Sequence, residues 1–82
     1  MRTYYFGDHG SILMKEHGKY WIFSYYHLHF IDASFLGDLD MSEWQEVPVS
    51  EVKARLEDGL GTAIQNHEKK TIKKYTDAIN HL

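Results

Sequence analysis

Apolar and aromatic residues fill the first half of the chain in short runs separated by turn residues. Tyr4-Tyr5-Phe6 precedes Asp8-His9-Gly10, and Ile12-Leu13-Met14 precedes Glu16-His17-Gly18; a long run then extends from Lys19 to Asp32. Aromatic and β-branched runs bounded by glycine-containing turns are typical of β-hairpins. The pattern therefore predicts an antiparallel meander of three strands, whose third run is long enough to bend near Tyr26-His27 or to break at Ala33-Ser34.

The two turns share an acid-His-Gly sequence, and glycine tolerates the positive φ angle that ends a three-residue hairpin loop. With three-residue loops at both turns, position 6 pairs with 12 and 4 with 14, and then 14 pairs with 20 and 12 with 22. A two-residue loop would shift the register and move every side chain to the opposite face. We therefore expect a core face made of Tyr4, Phe6, Ile12, Met14, Tyr20, Ile22, Tyr26, Leu28 and Phe30.

The opposite face is also apolar in this register, which is typical of strands that are covered on both sides. It carries Tyr5, Leu13, Trp21, Phe23 and Tyr25, followed by His27 and His29. Either the fold itself buries these residues, or they form an exposed aromatic patch of the kind that marks an interaction site.

Residues 33–48 allow two interpretations. Glu43 to Val47 would form a fourth strand, or Ser42 and Gln45 would form a capping box for a short helical turn. Pro48, the only proline, ends either element.

The second half of the chain has helical periodicity. Ser50 is a favourable N-cap for a helix that carries Val52 and Leu56 on one side, and Gly59 is a natural stop. A last helix follows, with a second capping box at Thr62 and Gln65, unless one long helix is kinked at Gly59–Gly61. The last helix has an apolar stripe of Ile64, Ile72, Tyr75, Ile79 and Leu82.

These elements predict a single α+β domain over residues 1–82. Residues 1–47 are expected to be mainly β and residues 50–82 helical, with two C-terminal helices packed on a sheet of three to four antiparallel strands. The chain has no cysteine, which excludes disulfides and thiolate zinc sites. The N-terminal residues lack the apolar run of a signal peptide, and no segment has the length of a membrane span, so we expect a cytoplasmic protein.

Charge is distributed unevenly along the chain. Residues 38–58 hold two basic residues against seven acidic ones, whereas residues 59–82 hold four lysines against two acidic residues. The sequence pI near 6.0 argues against a dedicated nucleic-acid-binding protein. The lysines at 69, 70, 73 and 74 nevertheless form one basic helix surface that would contact phosphates if it is more than a solvated face.

Two histidines form the strongest candidate for metal chemistry. His27 and His29 would lie on the same side of a strand, at a spacing that lets two imidazoles share one ion. A catalytic zinc site needs a third protein ligand, and Asp32 is expected on the opposite face. The sequence contains no nucleophile elbow, phosphate-binding glycine loop or HExxH motif. We therefore expect no enzymatic activity and no cofactor, with a metal site on His27 and His29 as the alternative.

The features that remain favour a protein-binding domain. The sequence predicts contact through two groups of residues: the aromatic Trp21, Phe23 and Tyr25, and an acidic segment made of Asp38, Asp40, Glu43, Trp44 and Glu46. Acidic charge suits a basic partner, including a nucleic-acid-binding protein, and self-association into a homodimer would cover the aromatic face. A small adaptor or inhibitor, such as a phage or mobile element encodes, fits the size of the chain.

Overall fold

The computed structural model describes the backbone of all 82 residues and every side chain except that of His9. Two helices pack against one antiparallel sheet, which confirms the predicted α+β class, but the sheet has five strands instead of three or four. The spatial order is β4-β3-β2-β1-β5. The strands are β1 (Thr3–Phe6), β2 (Ile12–Glu16), β3 (Lys19–Ser24), β4 (His29–Asp32) and β5 (Gln45–Val47).

The first hairpin has the predicted three-residue loop. Phe6 pairs with Ile12 and Tyr4 with Met14, and the Gly7 N–H donates to the Ser11 carbonyl at 2.9 Å. Gly10 closes the loop with φ at +80°. This left-handed conformation is open to glycine at little cost and strained for most other residues.

The second hairpin differs from the prediction by one residue. Its loop contains only His17 and Gly18, both with positive φ angles of 53° and 76°, which is the pattern of a type I′ turn. Met14 therefore pairs with Trp21, and Lys15 with Tyr20. The expected pairing of 14 with 20 is wrong. The alternation of apolar and polar residues does not distinguish the two registers, because β3 carries apolar side chains on both faces.

The long aromatic run from Lys19 to Asp32 forms two strands joined by a tight turn. The bend expected near Tyr26-His27 is a complete reversal over residues 25–28, in which the Leu28 N–H donates to the Ser24 carbonyl at 2.6 Å. The Ser24 hydroxyl accepts a second bond, from the His27 N–H at 3.1 Å. The two strands then pair with Phe23 opposite Phe30.

The core lies between the helices and one face of the sheet. Tyr4, Ile12, Met14 and Phe23 from the strands are buried against Val52, Leu56 and Ala78 from the helices. Trp21 and Phe30 pack on the edge of this cluster. The register of the second hairpin thus turns Trp21 and Phe23 toward the helices, in place of the expected Tyr20 and Ile22.

The other face of the sheet is crossed by the connection between β4 and β5, residues 33–44, since these strands lie at opposite edges. Leu13 on this face is 0% exposed. Leu39 of the connection and Tyr20 of β3 line one small cavity. The connection contains 3-10 turns at Ser34–Leu36 and Met41–Glu43 before β5 begins. Both interpretations of residues 42–47 are therefore partly correct, although Asp40, not Ser42, caps the turn.

The helices are α1 (Val49–Gln65) and α2 (Lys69–Asn80). The predicted stop at Gly59 is wrong: α1 continues through Gly59 and Gly61, and the chain breaks at Asn66 and His67, where His67 has φ at +57°. A methyl group at Gly59 would lie 2.5 Å from the ring carbon of Tyr75 that bears the hydroxyl. Glycine is thus placed where α2 crosses α1 closely.

The two glycines of α1 give a matched test of this crossing. Gly61→Ala should stabilise the fold by about 0.5–1 kcal/mol, because alanine favours the helix and nothing lies near the added methyl group. Gly59→Ala should lower stability, because displacing the Tyr75 ring costs about 1–3 kcal/mol and outweighs the same gain. Urea denaturation of both variants measures the difference, and equal stabilisation by the two substitutions would contradict the described packing.

Candidate functional site

The three aromatic residues predicted to bind a partner do not form one exposed face. Phe23 is 3% exposed and belongs to the core, and Trp21 is half-buried beside it. Tyr25 is exposed, with its ring edge-on to Phe23 at 5.1 Å and its hydroxyl donating to the Gly10 carbonyl at 2.8 Å. Partial burial raises the pKa of the Tyr25 hydroxyl. The expectation of an aromatic patch on the helix-free face was wrong because it followed from the wrong register.

The acidic residues of the predicted binding segment are all exposed. Asp38, Asp40, Glu43 and Glu46 present their carboxylates to solvent along the connection and the start of β5. Trp44, predicted with them, is half-buried, and its ring packs so closely on Gly7 that a methyl group there would lie 2.7 Å away. Trp44 therefore anchors the connection to the first hairpin, while the four carboxylates remain exposed to solvent.

Two aspartates hold the connection in shape. The Asp32 carboxylate accepts from the Ser34 N–H at 2.7 Å. The Asp40 carboxylate accepts from the Ser42 N–H at 3.1 Å and from the Ser42 hydroxyl at 2.6 Å. These hydrogen bonds hold the pKa of each aspartate below its usual value. Both ends of the connection are thus fixed locally by short polar turns.

Sequence reasoning missed Phe35 and Leu36. They lie in the 3-10 turn Ser34–Leu36, whose Ser34 N–H donates to the Asp32 carboxylate, and Phe35 is 66% exposed. Contiguous exposed apolar area marks contact surfaces, and Leu36 next to Phe35 is also exposed. In the sequence, these two residues are an apolar pair next to Gly37 and Asp38 that fits no strand or helix pattern, and this indicates an exposed loop position. We call Phe35, Leu36, Asp38, Asp40, Glu43 and Glu46 the acidic surface.

The two histidines of the metal hypothesis lie close together but not on one strand. His27 is in the turn and His29 begins β4, with ring centroids 5.6 Å apart. His29 Nδ1 lies 3.2 Å from the His27 carbonyl, and since a carbonyl only accepts, this nitrogen carries the proton. Among the described side chains, which omit His9, no group of three His, Asp or Glu residues is placed to hold a metal ion. A metal site on this pair stays an untested alternative.

The four lysines of the last helix are exposed as expected. Lys73 pairs with Asp77 at 2.9 Å, one helical turn away. Lys74 lies on the flank of α2 that faces β4, where it joins the lining of a cleft. Phosphate contact by these lysines stays a prediction that the structure alone does not test.

An open cleft of about 540 Å³ separates α2 from the β3–β4 hairpin. This volume is typical of ligand and peptide side-chain pockets. We call it the α2–β4 cleft. Its lining residues are Arg2, Met14, Glu16, Trp21, His27, Leu28, His29, Phe30, Lys74, Asp77, Ala78 and His81.

An ion pair closes one end of the α2–β4 cleft. Arg2 Nε lies 2.6 Å from a Glu16 carboxylate oxygen, and the Arg2 guanidinium also donates to the His81 carbonyl at the end of α2. The Glu16 carboxylate, followed by the Tyr4 hydroxyl, raises the pKa of Arg2. In turn the hydrogen bond from Arg2 lowers the pKa of Glu16. Arg2 thereby ties β1 to both β2 and the C-terminal end of α2.

Comparison with known protein families, with characterised proteins and with solved structures finds no match to this chain. In the described chain, neither helix combines the length and the apolar character needed to cross a lipid bilayer.

Truncation of Phe23 tests its assignment to the core. Phe23→Ala should cost about 3–5 kcal/mol, as for other buried phenylalanines, out of a total of about 4–12 kcal/mol expected for 82 residues. Tyr26→Ala is the control, because Tyr26 is 88% exposed and surface changes stay within about 0.5 kcal/mol. Urea unfolding followed by tryptophan fluorescence measures both. A Phe23→Ala protein as stable as Tyr26→Ala would place Phe23 on the surface.

The Arg2–Glu16 pair predicts a pH dependence of stability. Because the folded-state pKa of Glu16 is lowered, its ionised form adds stability above the unfolded pKa, and that contribution disappears as the pH falls through the folded value. Glu16→Gln should therefore lower the melting temperature at pH 7 and have little effect near pH 2. Thermal unfolding of both proteins at several pH values tests this, and a difference that grows toward acid would contradict the described pair.

Proposed function

We propose that the protein is a small non-enzymatic protein-binding domain, an adaptor or inhibitor, that contacts a basic partner through the acidic surface. The observation that carries the proposal is the exposure of Phe35 on a locally fixed connection that also carries exposed carboxylates without a described ion-pair partner. A contact surface of this kind combines an apolar anchor with charges at its rim.

The chemistry of the surface indicates the chemistry of its partner. Phe35 and Leu36 supply apolar area, and aromatic anchors of this type dominate binding energy when a partner's pocket encloses them. The exposed carboxylates of Asp38, Asp40 and Glu43 follow that anchor along the connection. Rim charges of one sign accelerate association with an oppositely charged surface. We therefore expect the partner to present an apolar pocket bordered by lysine or arginine residues.

The local hydrogen bonds support a binding role, because a surface that is already ordered loses less entropy on association. Asp32 and Asp40 fix the turns on either side of Gly37. Trp44 fixes the end of the connection against the first hairpin. None of these three side chains needs to move for Phe35 to be presented.

Site-specific photocrosslinking tests the proposed surface. A photoreactive benzophenone side chain replaces Phe35 in one protein and Ile64 in another. Ile64 is the matched control, because it is 53% exposed and lies on α1, outside the acidic surface. In an extract of the source cells, the protein labelled at position 35 should form one discrete crosslinked product, and the protein labelled at position 64 should not.

Charge reversal shows whether that product depends on the acidic surface. Asp38→Lys with Glu43→Lys should weaken the crosslink about tenfold or more, since two charges of the acidic surface then repel a basic partner. The matched control is Glu57→Lys with Asp58→Lys, which changes the same net charge on α1, where both residues are exposed. A crosslink at position 64 alone, or one that both pairs of substitutions weaken equally, would contradict the proposal.

A further inference from the structure

The free edge of the sheet borders the α2–β4 cleft. β4 is the last strand in the spatial order. The Ala33 N–H donates to the Tyr20 carbonyl at 3.0 Å, and this pair extends by one step the register that places Trp21 opposite Asp32. Since hydrogen-bonded and non-hydrogen-bonded pairs alternate in an antiparallel ladder, the N–H and C=O groups of Phe30 and Asp32 point away from the sheet. They are positioned to pair with an added strand.

An apolar floor lies directly beside these free backbone groups. Trp21 and Phe30 line the cleft together with Met14. The Phe30 ring is held by contacts with Phe23 at 5.4 Å and Tyr4 at 6.2 Å between ring centroids. A strand added to β4 would direct alternate side chains toward this floor. Backbone pairing combined with a side-chain pocket is the arrangement by which proteins bind peptides through strand addition.

The charged residues that line the cleft favour a ligand of negative charge. Both carboxylates in the lining already have a cation: Glu16 pairs with Arg2 at 2.6 Å and Asp77 with Lys73 at 2.9 Å. Among the described side chains, Lys74 is then the one charged group of the lining without an ion-pair partner.

Two imidazoles of the lining add hydrogen-bonding capacity. His29 Nδ1 lies 3.2 Å from the His27 carbonyl, and His81 Nδ1 lies 2.6 Å from the Asp77 carbonyl. Because each carbonyl accepts the Nδ1 proton, the Nε2 atoms of both rings remain for a ligand. The charge of Lys74 complements a carboxylate, not a cation.

We propose that the α2–β4 cleft binds an extended acidic segment of a second protein, which pairs with the edge of β4 and places an apolar side chain over Trp21 and Phe30. The site is opposite in charge to the acidic surface and does not depend on it. A domain with both sites would join a basic partner to an acidic one, which is the action of an adaptor.

A designed heptapeptide serves as the probe. It has phenylalanine at its centre, aspartate two residues to either side, and threonine at the other positions, with both ends blocked. In NMR titrations of the ¹⁵N-labelled protein, it should shift the amide signals of His29, Phe30 and Lys74. At saturation the amide exchange of Phe30 and Asp32 should slow about tenfold or more, since these groups become hydrogen-bonded.

Two modified peptides test the charge preference and the backbone pairing separately. Replacing both aspartates by lysine should weaken binding about tenfold, because the charge then opposes Lys74. Methylating the backbone nitrogens that face β4 should weaken binding by a similar factor of about ten, because the strand cannot then pair. The proposal would be overturned if either modified peptide bound as tightly as the aspartate peptide, or if the aspartate peptide did not bind.

Matched protein variants give the complementary test. Lys74→Glu should weaken binding of the aspartate peptide and strengthen binding of the lysine peptide. Lys70 lies at an exposed position of α2 outside the cleft lining, so Lys70→Glu should change neither affinity by more than about threefold. Protection of Phe30 and Asp32 that rises with protein concentration in the absence of peptide would mean that a second copy occupies the edge, which also overturns the proposal. Crosslinking at position 35 is independent of all these outcomes, so the two sites succeed or fail separately.

Discussion

The two-residue turn at His17 and Gly18 is the constraint on which the rest of the structure depends. Both residues have positive φ angles, and this tight reversal places Met14 opposite Trp21. Phe23 consequently joins Tyr4 and Ile12 beneath the helices, while Tyr20 and Ile22 turn to the other face. One more residue in the loop would exchange these two sets of side chains. The core, the aromatic floor of the α2–β4 cleft and the position of Phe30 all follow from that choice.

Sequence patterning predicted the elements that local rules control. The α+β class and the first hairpin with its three-residue loop were correct. The last helix is amphipathic as predicted, but it begins at Lys69 instead of near Thr62, and Ile64 of the predicted apolar stripe lies exposed on α1. The second hairpin was wrong because Asp8-His9-Gly10 and Glu16-His17-Gly18 look alike but form loops of different length, and β3 is apolar on both sides, so alternation does not distinguish the registers. The sequence pattern predicts a helix end at Gly59, because glycine often follows the last helical residue. Its actual role depends on the Tyr75 ring, which lies 16 positions along the chain and contacts Gly59 only where the two helices cross.

The candidate sites show the same division between local and long-range information. The exposed carboxylates at Asp38, Asp40 and Glu43 were predictable, since charge is a property of the residues themselves. The role of Trp44 as an anchor was not, because it depends on contact with Gly7 across the fold. The α2–β4 cleft was invisible to pattern analysis: Arg2, Glu16, His29 and Lys74 come from four separate elements. Of its two ion pairs, Lys73–Asp77 is a local i,i+4 contact within α2, whereas Arg2–Glu16 joins residues 14 positions apart and depends on the fold.

The protein thus presents an exposed acidic surface and, beside the free edge of β4, the α2–β4 cleft, in which one turn directs Trp21 toward the floor. Cross-strand nuclear Overhauser effects between the backbone protons of β2 and β3 measure that turn most directly. The described register predicts contacts that pair Met14 with Trp21 and Lys15 with Tyr20. Contacts that pair Met14 with Tyr20 and Ile12 with Ile22 would contradict it, and would return Trp21 and Phe23 to the face opposite the helices.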